Sequence, residues 1–274
     1  MMGGSFISRG AFRAAVLILL LLGFSAALAP WIAPYDPNEQ GDLVHERLLP
    51  PCSAHPFGTD QFARDLFSRV LYGGRISLLI SVSVVLFSTL IGVVYGGISG
   101  YLGGVTDLVL MRLVDLLLAF PAIFLIIALV SVYGSNLLIL VLVLSFLGWM
   151  GMSRLVRSEV LRLRQQPFVL AEVALGLHPL TILFRHILPN LMPTVLAAAT
   201  IRVGVILLLE SALSFLGLGV QPPTASWGAI IQDGREVLVQ GWWVSFFPGL
   251  MIVLSVFSFN LIGEYWREKI EGGG

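Results

Sequence analysis

The stretch FVLAEVALGLHPLTILFRHILPN, residues 168–190, decides how the chain is arranged, because it interrupts an otherwise strongly apolar sequence. Its apolar run is too short to cross a bilayer, which takes about 20 consecutive apolar residues. Residues 171–175 favour a helix that Gly176 ends, since glycine readily adopts the left-handed conformation beyond a helix terminus. Pro179 favours the start of a second helix, where its missing N–H is not needed, and Pro189 is expected to close the segment.

These features predict a compact elbow, residues 168–190, lying outside the lipid between two membrane spans. Four ionisable residues interrupt its apolar sequence, namely Glu172, His178, Arg185 and His186. Such an elbow is a candidate docking surface for another protein. The alternative is an ordinary amphipathic connection at the membrane surface, which is a common structure, and the spacing alone leaves both interpretations open.

The composition is that of an integral membrane protein. Of the 274 residues 57% are hydrophobic and only 12% are charged, whereas a soluble domain has about 25% charged residues. The mean hydropathy is +0.92. The formal net charge is zero and no basic stripe occurs, so the sequence gives no case for nucleic acid as a partner. The single Cys52 excludes an internal disulfide and a cysteine metal cluster.

Apolar runs predict an all-α protein with six transmembrane helices. The predicted spans are residues 14–32, 76–98, 113–133, 137–152, 191–216 and 243–262. Pro121 should kink the third span. Residues 27–29, Ala-Leu-Ala, look like a signal-peptide cleavage site, but Pro30 follows directly, so we expect an uncleaved anchor.

The remaining segments are expected to be polar connections outside the bilayer. Residues 30–75 form the longest of them, rich in proline, with an amphipathic helix expected over 60–71 that we interpret as interfacial packing. Residues 100–112 and 134–136 are predicted to form turns, and residues 217–242 a polar loop.

The distribution of lysine and arginine predicts the orientation, because these residues favour the cytoplasmic side. Ten lie at the termini, in 100–112 and in the connection that contains the elbow, and five on the opposite side. The ten are Arg9, Arg13, Arg112, Arg154, Arg157, Arg162, Arg164, Arg185, Arg267 and Lys269. Both termini and the elbow are therefore expected in the cytoplasm, and residues 30–75 and 217–242 on the outside.

Catalytic motifs are missing from the sequence. Lys269 is the only lysine, and there is no G-x-x-x-x-G-K-[ST], H-E-x-x-H or G-x-S-x-G. The four histidines do not follow a metal-ligand pattern, and we expect His178 and His186 to be solvated loop residues. We predict no catalytic residue, no metal site and no enzyme activity, so any energy for transport must come from an ion gradient or from another chain.

The elbow resembles the E-A-A-x-x-x-G-(x9)-I-x-L-P loop of permease subunits of binding-protein-dependent ABC importers. Ala171, Gly176, Leu188 and Pro189 fall on motif positions. Three positions depart from the motif: Leu170 replaces the glutamate, Glu172 the second alanine and His186 the isoleucine.

Three further stretches, residues 55–78, 96–121 and 213–231, resemble the dipeptide, oligopeptide and nickel permeases. The first reads HPFGTDQFARDLFSRVLYGGRISL and the last LSFLGLGVQPPTASWGAII. The resemblance covers nearly the whole chain and matches the second, shorter (C-type) permease of the pair.

This resemblance implies a MetI-like permease fold in a bacterial cytoplasmic membrane. Residues 1–75 would be an anchor with an extracytoplasmic segment, and 76–274 a five-helix core with a coupling loop at about 153–190. The implied partners are a second permease in a heterodimer, two ABC ATPase subunits that use ATP and Mg, an outer solute-binding protein and membrane lipid. This chain itself would bind no cofactor.

The elbow would then be the coupling helix that inserts into a groove of an ATPase subunit. The residues expected to serve this coupling are Ala171, Glu172, Gly176, Arg185, Leu188 and Pro189. Di- and oligopeptides lead as substrates by resemblance, with nickel as the alternative. A secondary transporter would usually show inverted repeats or a filter signature, which we do not detect.

Asp115, Arg202 and Glu210 are ionisable residues within predicted spans. A charge at the centre of a membrane helix costs about 2.5–3.5 kcal/mol, so these groups should face the bundle or an aqueous path. Arg202 and Glu210 lie about 12 Å apart along a helix and are not expected to pair. Two interpretations stay open: the three residues line or gate the path, or each pairs with a neighbouring helix or with the partner permease, as charges within membranes usually do.

Overall fold

The computed structural model describes residues 8–134 and 136–271, and these residues are almost entirely helical. The helices are α1 (Arg9–Ala27), α2 (Ala29–Ile32), α3 (Leu66–Leu102), α4 (Gly104–Leu118), α5 (Ala122–Tyr133), α6 (Leu137–Leu163), α7 (Pro167–Ala174), α8 (Pro179–Thr181), α9 (Leu188–Phe215), α10 (Trp227–Gly234) and α11 (Trp243–Glu271). A π-helical segment, Ile182–Ile187, joins α8 to α9, and a 3₁₀ turn, Arg235–Val237, follows α10. The described residues contain no β-strand, only an isolated bridge between Thr59 and Asp65.

Five helices are long and apolar enough to cross a membrane, and α4 with α5 forms a sixth candidate span that is bent by 77°. The prediction of an all-α protein with six spans is therefore confirmed, counting the bent pair as one span. Pro121 lies at the break with extended backbone and precedes α5. Because proline cannot supply the N–H that a continuous helix needs, the expected kink becomes a complete break between two helices.

Residues 100–112 were expected to form a polar turn, and this prediction is wrong. The chain breaks only at Gly103, where φ is +66°, and α4 begins at the next residue. Asp107 is accommodated within α4 because it accepts hydrogen bonds from Ser99 at the end of α3 and from Arg157 of α6. These bonds satisfy the carboxylate, so a charged residue does not end the helix here.

The amphipathic helix expected over residues 60–71 is also misplaced, because the helix begins only at Leu66. The Asp65 side chain accepts a hydrogen bond from the Ser68 backbone N–H at 2.7 Å, which caps α3. From there α3 runs for 37 residues. The division of the chain at residue 75 therefore falls inside one continuous helix.

The elbow has the predicted start but not the predicted end. Helix α7 ends before Gly176, whose φ is +78°, and α8 begins at Pro179. Pro189 does not close the segment, because the chain runs on through the π-helical segment into α9. In the π-helical segment the Leu188 N–H donates to the Leu183 carbonyl, an i→i+5 bond. This bond shifts the hydrogen-bond register, so that Pro189 falls in the first turn of α9, where proline is tolerated. The turn predicted over 134–136 includes residue 135, which lies outside the described residues.

Small residues allow the long helices to pack closely. A Cβ on Gly96 of α3 would lie 2.2 Å from the Ser153 carbonyl of α6, and one on Gly263 of α11 would lie 3.1 Å from the Ala197 carbonyl of α9. Close backbone approach of this kind drives helix association in lipid. The Phe12 and Tyr265 rings stack at 4.3 Å, so the start of α1 and the end of α11 lie at the same end of the bundle. We call this the terminal end, and the opposite one the outer end.

Candidate functional site

Helix α7 exposes most of its apolar surface at the terminal end of the bundle. Only Val169 is buried, in a cluster with Ile182, Leu183 and Ile187. The exposed large apolar side chains of the elbow are Phe168, Leu170, Val173, Leu175, Leu180 and Phe184. Leu180 and Phe184 belong to the candidate span Pro179–Phe215, whereas the exposed apolar side chains at 168–175 lie outside the candidate spans and indicate an interaction surface.

The structure divides the predicted coupling residues between this surface and the interior. Ala171, Gly176, Arg185 and Pro189 are exposed, whereas Leu188 is buried in the same cluster as Val169. Leu188 therefore fixes the base of the elbow and cannot contact a partner directly.

Two positions that depart from the E-A-A motif contact each other. His186 Nδ1 lies 2.7 Å from Glu172 Oε1, with side-chain exposures of 33% and 17%. This contact joins α7 to the π-helical segment, so the expectation that His186 is a solvated loop histidine is wrong. His178 is exposed, and its Nδ1 accepts the Leu180 N–H at 3.3 Å and so caps α8.

Two ion pairs fasten α4 to α6. Arg157 donates to both carboxylate oxygens of Asp107, and Arg154 donates to Asp115 at 2.5 Å. The second pair is half exposed, at 50% for Arg154 and 47% for Asp115. Asp115 thus has a partner within its own chain, and the pair lies on the outside of this isolated bundle.

Arg202 lies within α9 with its guanidinium against α6. Its Nη1 is 3.1 Å from the place where a Cβ on Gly151 would be. Within the described ranges, 8–134 and 136–271, its side chain makes no hydrogen bond or ion pair.

Glu210, two turns further along α9, is fully buried among serine hydroxyls. Ser214 donates to it at 2.8 Å, Ser77 at 3.1 Å and Ser211 at 3.4 Å. The Ser77 hydroxyl also accepts the Trp227 N–H at the start of α10, at 3.1 Å. Glu210 therefore joins α3, α9 and α10, and, as expected from the spacing, it does not pair with Arg202.

A buried ionic cluster at the outer end was missed by the sequence reasoning. Arg64 bridges Asp60 at 2.6 Å and Asp233 at 2.8 Å, and Arg69 contacts Asp233 at 3.3 Å and the Pro37 carbonyl at 3.1 Å. Burial raises the pKa of Asp233, although Arg69 and Arg64 act against the rise. Charged residues recur in 60–69 and could have indicated the cluster. Packing at the membrane interface accounts for the same pattern, so the sequence alone did not distinguish the two.

Two tryptophans add further links at the same end. The Trp243 indole N–H donates to the Thr59 carbonyl at 3.1 Å, and that of Trp227 to the Val70 carbonyl at 2.9 Å. Residues 33–65 are therefore held across the outer end of the bundle by α10 and α11. Among the described residues, no group of three or more His, Cys, Asp or Glu side chains could hold a metal ion.

Comparison with known proteins assigns the architecture to a family. Residues 92–272 match the model of the binding-protein-dependent transport system inner membrane component. Residues 5–51 match the N-terminal transmembrane domain of oligopeptide transport permease C.

Individual relatives match along most of their length. The chain is 38% identical over 259 residues to the dipeptide transport system permease protein DppC of Bacillus subtilis, covering 94% of this chain and 80% of the relative. It is 38% identical to the oligopeptide transport system permease protein OppC of Haemophilus influenzae, over 94% and 84%. It is 39% identical to the probable D,D-dipeptide transport system permease protein DdpC of Escherichia coli, over 93% and 84%. The chain therefore belongs to the family of inner membrane components of binding-protein-dependent transport systems.

Proposed function

We propose that this chain is the C-type permease subunit of an ATP-driven importer of di- and oligopeptides. It forms half of the translocation path, and a second permease forms the other half. Two ATPase subunits bind ATP and Mg and supply the energy, and an extracytoplasmic solute-binding protein delivers the peptide. The peptide assignment is supported by the three relatives compared above, which are named for dipeptides or oligopeptides, and no observation favours nickel.

The exposed apolar surface of α7 carries this proposal. Leu175 is 79% exposed and Leu170 is 56% exposed, while Val169 beside them is wholly buried against the base of α9. A helix held on one side and bare on the other is suited to insertion into a groove of an ATPase subunit. Because α7 lies between α6 and α9, a push on α7 would move both spans and switch the path between inward-open and outward-open states.

The orientation of the chain in the membrane is inferred from its charge distribution and from the packing of its terminal helices. The arginine and lysine bias favours a cytoplasmic location for both termini, and the Phe12–Tyr265 stack keeps α1 and α11 together at the terminal end. Helix α7 follows the end of α6 at this end, since Arg164 donates to the Tyr101 carbonyl at the end of α3. The elbow would then face the ATPase subunits, and residues 33–65 the solute-binding protein.

Cysteine cross-linking in the assembled transporter tests the proposal. In a Cys52→Ser background, Leu175→Cys should cross-link to an ATPase subunit. Val239→Cys, at a residue that is 95% exposed after α10, is the matched control and should not reach one. Cross-links from Leu175→Cys to lipid or to the solute-binding protein alone would refute the coupling role.

Uptake separates the substrate classes. In cells that lack the native transport genes, restoring the complete system should restore ATP-dependent uptake of a labelled dipeptide and leave nickel uptake unchanged. Restored nickel uptake without peptide uptake would contradict the peptide assignment while leaving the permease assignment intact.

A further inference from the structure

We propose that Arg202 binds a carboxylate of the peptide as it passes through the membrane. The inference rests on the proposed function, because it assumes that the transported solute is a peptide. It adds a residue of this chain that recognises one chemical group of that solute.

The first step is that Arg202 needs an anion from outside the chain. An unpaired arginine within a span costs about 2.5–3.5 kcal/mol, and Arg202 has no hydrogen-bonding or ionic partner among the described residues. The other acids in the spans around it are committed. Glu210 is bonded to serines, and Asp115 is paired with Arg154.

The second step is the position of the guanidinium. It lies against Gly151 of α6, which has no side chain to cover it. Gly151 and Arg154 are both exposed, and residues three apart lie on one face of a helix. Arg202, Gly151, Arg154 and Asp115 therefore form a polar strip across α9, α6 and α4. Charged groups on such a surface are incompatible with hydrocarbon, so the strip faces the aqueous side of the assembly, where the two permeases enclose the path.

The third step is charge and geometry. The strip contains two arginines and one aspartate, so it carries one excess positive charge. A guanidinium binds a carboxylate through two parallel hydrogen bonds, which gives direction as well as strength. Every unmodified peptide carries a terminal carboxylate whatever its side chains, so one arginine can serve many different peptides.

Transport kinetics of the complete transporter in proteoliposomes test the inference. We would compare a free dipeptide with its C-terminal amide, each supplied bound to the solute-binding protein, and vary the concentration of this loaded protein, so that each KM refers to the protein loaded with that peptide. Arg202→Gln should raise the KM for the free dipeptide by about 10- to 100-fold, the size of a lost charge-assisted hydrogen bond. The KM for the amide should stay within about twofold, the scatter expected away from such a contact.

Two further variants and one control variant keep the result interpretable. Arg202→Lys retains the charge without the planar pair of donors and should recover part of the selectivity. Gly151→Ala crowds the guanidinium and should raise the KM for the free dipeptide selectively, but by less. Arg162→Gln, which removes an exposed pair with Glu159, is the control and should change neither KM.

Three results would overturn the inference. Equal changes for both peptides would mean that Arg202 does not contact the carboxylate. Loss of the second permease from purified Arg202→Gln complexes would mean that Arg202 pairs with an acid of that subunit instead. Unchanged kinetics would remove any role in transport. If the unmodified transporter takes up no peptide with ATP, the proposed function fails instead, so the two failures are distinguishable.

Discussion

The two ends of the bundle are built differently. At the outer end, residues 33–65 and α10 are joined by buried ion pairs, and Trp227 and Trp243 both donate to backbone carbonyls. At the terminal end, α7 buries Val169 and leaves its other large apolar side chains exposed. The charged groups of the outer end pair with one another, whereas the elbow leaves apolar side chains exposed that, under the proposed function, an ATPase subunit would cover.

This difference suits a protein that is moved from one end. Under the proposed function, a rigid outer end would keep the mouth of the path in one shape, and the exposed apolar surface of the elbow would bind a partner that changes shape. The comparison implies that substitutions at the outer end act mainly on stability. Substitutions at the elbow should act mainly on the link between ATP hydrolysis and transport.

The largest effect is expected from breaking the outer ionic cluster. Arg64→Ala leaves Asp60 and Asp233 without their closest partner, and removing one member of a buried ion pair costs about 3–5 kcal/mol. Thermal unfolding in detergent should show a clearly lowered midpoint. Arg162→Ala removes an ion pair whose arginine is 60% exposed and should cost at most about 1 kcal/mol. Equal effects of the two variants would contradict a rigid outer end.

A smaller loss of stability is expected at Glu210. Glu210→Leu removes the acceptor that the hydroxyls of Ser77, Ser211 and Ser214 share. Because serine hydroxyls in a helix can turn to a backbone carbonyl one turn back, we expect a net cost of about one buried unsatisfied group, about 1–3 kcal/mol. Glu210→Gln keeps an acceptor and should unfold closer to the parent protein. Uptake by Glu210→Gln decides whether the charge also serves the path, since unchanged uptake would leave Glu210 a purely structural link.

At Gly176 the expected effect falls on coupling rather than on folding. A β-branched residue must adopt φ near +78° there, and the left-handed conformation costs about 1–2 kcal/mol. Gly176→Val should insert normally but transport less peptide per ATP hydrolysed. Gly176→Asn is the control, because asparagine tolerates this conformation and no atom lies within 4 Å of the added Cβ. A normal transport-to-hydrolysis ratio in Gly176→Val would count against the elbow as a lever.

The smallest effect is expected from the Glu172–His186 contact, since both side chains are partly exposed. Glu172→Ala and His186→Ala should each lower the transport-to-hydrolysis ratio slightly, and the double variant should lower it no further. A contact of this type contributes about 0.2–1 kcal/mol. Independent, multiplying effects would show that the two residues do not act as a pair.

The sequence by itself determined the membrane class, the six spans and the position of the elbow. These depend on runs of apolar residues and on local backbone preferences at Gly176 and Pro179, which are properties of neighbouring residues. The family resemblance could be read for the same reason, because its motifs are short and continuous.

Only the tertiary structure decided which polar groups meet. Glu172 and His186 are 14 positions apart in the chain, and Arg64 and Asp233 are 169 apart. Their pairing depends on how helices cross, which no local pattern encodes. The same holds for the charges of α9, since the fold encloses Glu210 in serines and gives Arg202 no partner among the residues that the structure describes. Burial and long-range packing, rather than residue type, therefore separate a structural carboxylate from an arginine that is free to bind.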